Sequence, residues 1–168
     1  MALGQIENDT RKKIYLSVSR GKIVHYLQNG GIEYFKNVSG QVKDVYQKNR
    51  VFNGQTLPFW YIDVMDGEDL YSISLPFASG TFKSIILSLA SYKKLKDTTP
   101  VIIEPYERNG YTKVCVFADG NKLDWITKDL PPLHTETFRG KEVVDDTERM
   151  NFISDIAKQV KNRVNPTV

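Results

Sequence analysis

The residues best suited to chemistry in this chain are aromatic and cationic rather than catalytic. In Pro58-Phe59-Trp60-Tyr61-Ile62-Asp63-Val64, alternation puts Trp60, Ile62 and Val64 on one side of a strand and Phe59, Tyr61 and Asp63 on the other. The first set is the better core face, so Phe59 and Tyr61 point outward. Rings spaced this way form a platform on which unpaired bases stack. Lys43, on the outward parity of the preceding strand, is expected beside them. The loop after that strand carries Lys48, Arg50 and Phe52, placed to close over a bound strand, and Lys36 is a further cation of the same region. Cations meet phosphates and rings meet bases, which are the two requirements for holding a single strand. Tyr106 and Tyr111 flank a later hairpin turn; they either extend the platform or pair across strands, and pairing is preferred. A second reading of Phe59 and Tyr61 stays open: the N-terminal hairpin, whose Ile14, Leu16 and Val18 need a partner, covers them.

Catalytic signatures are sparse, and an enzyme is not expected. His25 and His134 lie far apart in sequence, and no His/Cys set has metal-ligand spacing. Asp63, Asp66, Glu68 and Asp69 form the densest acidic cluster. A two-metal site needs carboxylates converging on one point, whereas these surround a predicted turn, where Asp serves the backbone. Ser79-Gly80-Thr81-Phe82-Lys83-Ser84 lacks the glycine-lysine step of a phosphate-cradling loop and reads as a helix cap. No cofactor is implied. Trp125 is expected to pack, and Cys115, the only cysteine, reads as a small core residue that excludes an internal disulfide.

Charge is uneven along the 168 residues. Residues 1–60 hold nine basic groups against four acidic, a surplus of five, while residues 114–150 hold five against eight, a deficit of three. The net +3 is too weak to specify a partner. No stretch reaches the length of a membrane span and no apolar signal region opens the chain. A cytoplasmic location is expected, in the host cytoplasm if the chain is viral.

These side chains must be positioned by strands. Ile14, Leu16 and Val18 alternate with Tyr15 and Ser17, Ser19-Arg20-Gly21 turns the chain, and Lys22 to Leu27 returns it. After the break at Asn29-Gly30-Gly31, one long strand is predicted from about Ile32 to Gln47, bent at Gly40. Lys48 to Thr56 reads as a loop. Leu57 to Met65 and Asp69 to Leu75 form a hairpin about Asp66-Gly67. Ser79 then caps a helix with Phe82, Ile85, Ile86 and Leu89 on one face, ending near Tyr92 in a run of lysines. Pro100 to Glu104 and Tyr111 to Phe117 are strands, and Lys122 to Thr127 is a candidate extension. Leu130-Pro131-Pro132-Leu133 reads as a linker and residues 134–144 as irregular. Asp145 and Glu148 resemble a capping box before a helical stripe of Met150, Ile153, Ile156, Ala157, Val160 and Val164, which docks on its own barrel or on a second copy.

The expected fold is mainly β: a five-stranded OB-type Greek-key barrel with a helix between its third and fourth strands, plus an N-terminal hairpin and a C-terminal helix. Another small mixed barrel or an α+β sandwich is the alternative. Three regions are expected: an N-terminal extension (1–31), the barrel (32–127), and a linker with the C-terminal helix (128–168).

Val38-Ser-Gly-Gln-Val-Lys43, Phe59-Trp-Tyr-Ile-Asp-Val64 through Asp66-Gly67, and the helix from Gly80 to Ser91 together resemble single-stranded-DNA-binding proteins of the OB-fold type, especially divergent phage versions. The resemblance spans about half of the chain and is architectural. It implies coating of single-stranded DNA during replication or recombination, without a cofactor, often as a homo-oligomer and with replication or recombination proteins as partners. Bacterial members end in a flexible acidic tail with a terminal phenylalanine that recruits partners; this chain ends Arg163-Val-Asn-Pro-Thr-Val168, so recruitment by that route is not expected. The competing function is a structural or protein-interaction domain without nucleic-acid binding, because a fold of this type serves both.

Overall fold

The computed structural model describes residues 13–124 and 130–166. The predicted hairpin at its start is β1 (Lys13–Ser19) and β2 (Lys22–Tyr26), joined at Arg20 and Gly21, both with positive φ. That backbone matches the twist of the two strands it connects. The single strand expected from Ile32 is two, β3 (Ile32–Phe35) and β4 (Val38–Phe52). β5 (Gln55–Asp66) returns from β4 through Asn53 and Gly54, again both at positive φ. The segment expected as a loop is therefore an extended hairpin. Its polar residues hid it, because past Pro58 it pairs only with its own other arm and needs no apolar face.

The chain continues through β6 (Asp69–Pro76), α1 (Gly80–Ser91), β7 (Pro100–Arg108), β8 (Tyr111–Ala118) and the short β9 (Asn121–Lys122). Residues 125–127 of the expected extension strand, Trp125 among them, lie outside the described residues. Ser79 caps α1 as expected, accepting from the Phe82 amide at 3.2 Å. The lysines do not serve the helix C-terminus: they follow it, and Arg163 reaches the Ala90 and Tyr92 carbonyls instead, at 3.4 and 3.0 Å. The region expected to be irregular forms a separate hairpin, β10 (His134–Phe138) and β11 (Lys141–Asp145), turned at Arg139-Gly140. α2 (Thr147–Val164) follows. No capping box opens it, because Asp145 accepts from Thr147 while Glu148 bonds His134.

The large sheet runs β3-β2-β1-β6-β5-β4-β7-β8-β9 and does not close into a barrel. This corrects the expected closed barrel. The reason is β1, which pairs parallel with β6 from Lys13↔Leu70 to Leu16↔Ile73 and so takes the edge that closure would use. The bend at Gly40 is present. There β4 passes from β7 (Val38–Gln41) to β5 (Gln41–Phe52), at φ +152°, and a Cβ would lie 2.3 Å from the Met65 carbonyl oxygen. One core lies on the inner side of this sheet, under α1 and α2. It joins Leu16 and Ile23 of the N-terminal hairpin to Trp60, Ile62, Phe82, Ile103 and the α2 stripe. Trp60 stacks on Phe82 at 4.5 Å between ring centroids, a geometry that adds to the gain from burial.

Candidate nucleic-acid interface

Residues opposite one another on paired strands point to the same side of a sheet. The outer side can therefore be followed strand by strand: Lys48↔Phe59, Tyr46↔Tyr61, Tyr61↔Ser74, Tyr15↔Ser72, Ser17↔Val24 and Val24↔Tyr34. One face thus crosses β4, β5, β6, β1, β2 and β3. It carries Tyr46, Tyr61, Tyr15, Tyr26 and Tyr34, with cations among them.

The parity assignment of Phe59 and Tyr61 holds, but only part of the exposure does. Tyr61 is 7% exposed. Tyr46 stacks on it at 5.4 Å and 12°, and Tyr15 meets it edge-on at 6.4 Å. The hairpin therefore covers Tyr61 and presents new rings in its place: Tyr15, Tyr26 and Tyr34 are 55%, 60% and 60% exposed. Phe59 is half-buried, with the Arg50 guanidinium 4.7 Å from its ring centroid. Lys48 lies 5.3 Å from the Tyr46 ring and Lys22 lies 5.5 Å from Tyr34. Each of these cations is attracted to the negative face of the ring it lies over.

A pocket of about 400 Å³ opens at the centre of this face, lined by Tyr15, Ser17, Tyr26, Arg50, Tyr61 and Ser74. Arg50 reaches the Ser74 hydroxyl at 3.5 Å. Burial raises the pKa of the Tyr61 phenol and the nearby Arg50 charge opposes this, leaving it above the ordinary tyrosine value. Among the described residues Arg20, Lys22, Lys48 and Arg50 form no ion pair.

A partly buried polar cluster holds β1 in place. Asp63, 5% exposed, accepts from the Lys13 ammonium at 3.0 Å and from the Tyr46 hydroxyl at 3.1 Å, and Lys13 also donates to Tyr46 at 2.8 Å. Burial lowers the pKa of Lys13, but the hydrogen bonds to Tyr46 and Asp63 and the Asp63 charge outweigh it, and the net shift is upward. Asp63 is therefore no turn residue; it ties β1 to β4 and β5. Asp66, Glu68 and Asp69 remain exposed around the turn.

The other expected site residues do not gather here. Lys43 is the extra residue of a bulge between Val42 and Asp44, and its ammonium donates to the Asp97 carbonyl at 2.9 Å. The bulge takes it out of the alternation that would have put it beside Tyr61. Lys36, at the β3–β4 bend, lies 4.0 Å from Glu104. Tyr106 and Tyr111 are not partners: Tyr106 opposes Lys113, and Tyr111 opposes Arg108. The Phe52 side chain lies outside the described residues.

Sequence reasoning missed Tyr15, Tyr26, Tyr34 and Lys22. The outward parity of Tyr15 was legible from the alternation of residues 14–18, but β2 buries the adjacent Ile23 and Val24 and shows no alternation, and the parallel pairing of β1 with β6, which carries the hairpin to the Tyr61 face, was not legible either. Among the described residues no group of three or more His, Cys, Asp or Glu is placed to hold a metal ion, and no helix is long and apolar enough to cross a membrane. Comparison of the chain with protein-family models, with curated proteins and with solved structures finds no match.

Proposed function

We propose that this chain binds single-stranded DNA with little sequence preference, in support of replication or recombination, through the tyrosine-lined outer face of its sheet. The observation that carries the reading is the pocket bounded by Tyr15, Tyr26, Tyr61 and Arg50, with exposed rings and further cations continuing on either side. Rings accept any base, and cations track the phosphates. A duplex buries its base faces and cannot use the rings. The strand order β6-β5-β4-β7-β8, with α1 between β6 and β7, supports an OB-type sheet whose closing edge is taken by β1.

The test is a titration of labelled oligo-dT and a matched duplex at several salt concentrations. The reading expects preferential binding of the single strand, steeply weakened by salt, with quenching of tyrosine rather than of the buried Trp60. Equal or absent binding of the two DNAs overturns it. The alternative, a protein-interaction domain, draws its support from the β10–β11 hairpin, which exposes Phe138, Val143 and Val144. It expects self-association that ignores DNA.

A further inference from the structure

A second cavity, of about 510 Å³, adjoins the first and shares Tyr26 with it. Its walls include Arg20, Lys22, Tyr26 and Tyr34, and one acidic residue, Glu107. A carboxylate is out of place on a surface that merely attracts phosphate. Its position is nonetheless built. The tip of the β1–β2 turn docks on the β7–β8 hairpin, where the Gly21 amide donates to the Thr112 hydroxyl at 3.2 Å. The approach is so close that a Cβ on Gly21 would lie 2.5 Å from the Glu107 amide nitrogen. This contact holds Glu107 next to the two cations that flank Gly21. Glu107 forms no ion pair with either of them among the described residues. The cations are left for phosphate and the carboxylate for something else.

A carboxylate only accepts hydrogen bonds. Cytosine N4 and adenine N6 are donors, and guanine carries a donating N2 amino group; thymine presents the acceptor O4 where cytosine presents its amino group, and its one donor, the ring N3–H, lies between two carbonyl oxygens that repel a carboxylate. Resting on the single-strand reading above, we propose that this cavity is a base subsite. Tyr26 and Tyr34 stack the base, Arg20 and Lys22 hold its phosphates, and Glu107 selects bases bearing an exocyclic amino group over thymine. The chain then has a modest base preference confined to one position of an otherwise indifferent path.

The experiment compares oligo-dC with oligo-dT of equal length by fluorescence anisotropy at one salt concentration, with wild-type protein, Glu107→Gln and Lys22→Ala. Both are pyrimidine runs, which limits differences in strand stacking. The expected result is about fivefold tighter binding of oligo-dC by wild type, falling to within about twofold in Glu107→Gln, whose amide both donates and accepts. Lys22→Ala weakens both oligonucleotides and keeps their ratio. Equal binding by wild type, or an unchanged ratio in Glu107→Gln, overturns the subsite while leaving single-strand binding intact. Failure of wild type to bind either oligonucleotide overturns the underlying reading, and the subsite with it.

Discussion

Tyr61 shows how one ring can be on the right face and still be the wrong test of function. It is covered by Tyr15 and Tyr46, so Tyr61→Ala removes packing along with any contact to a base. The informative substitutions are Tyr26→Ala and Tyr34→Ala, whose rings are exposed. Each is expected to cost about 1–3 kcal/mol of oligo-dT affinity while the thermal midpoint stays close to wild type, measured by anisotropy and calorimetry on the same samples. Lys13 supplies a pH prediction. Its pKa in the folded chain is raised, so the folded state holds the proton more tightly than the unfolded state. The stabilisation is complete below the ordinary lysine value and is lost as pH rises through the folded value. The raised Tyr61 phenol acts in the same direction. Stability should fall on the alkaline side, and Lys13→Met should be less stable at neutral pH with a shallower alkaline decline. Parallel pH profiles for the two proteins would contradict this.

Among the elements, β4 carries the most constraint, since it serves β7 and β5 in succession. Gly40→Ala would set a Cβ against backbone at 2.3 Å and hold alanine at φ +152°. It is expected to lower unfolding free energy by at least about 1–3 kcal/mol, the range for strained backbone, in denaturant titration. Gly80→Ala, where a Cβ meets nothing within 4 Å, is the matched control and should be nearly neutral. The bend was legible because a glycine interrupting an otherwise regular strand marks a bulge, a sharp bend or a close backbone approach. The bulge at Lys43, three residues on, was not, because the residue there carries no comparable mark. That one unpaired residue moved a lysine from the expected interface to the Asp97 carbonyl.

The outer face draws on strands from across the whole molecule, so its electrostatics are collective. If Arg20, Lys22, Lys48 and Arg50 each contact a phosphate, the logarithm of the oligo-dT association constant should fall against that of salt with a slope of about −3, and Arg50→Ala should make it shallower by about 0.7. A slope near zero would deny these cations their role. The N-terminal hairpin belongs to this whole: Leu16 and Ile23 sit in the common core, and β1 covers the edge of β6. Deleting residues 1–31 is expected to abolish cooperative thermal unfolding and promote aggregation through the bared edge. A deletion variant with a wild-type transition would show the hairpin to be an appendage.

Much about this protein was written locally. The two-residue turns, the Ser79 cap, the helical stripes and the inward parity of Trp60, Ile62 and Val64 follow from neighbours in sequence, because period and backbone preference are short-range properties. The polar residues of the β4–β5 hairpin and of β10–β11 concealed strands, because pairing there is solvated and leaves no apolar alternation. What only the tertiary structure decided was which edge β1 would occupy. A parallel ladder between residues 13–16 and 70–73 joins segments more than fifty positions apart, and its hydrogen bonds run between backbones that look alike in any sequence. That choice kept the sheet from closing, buried Tyr61, and placed Tyr15, Tyr26 and Tyr34 where Phe59 and Tyr61 had been expected to stand.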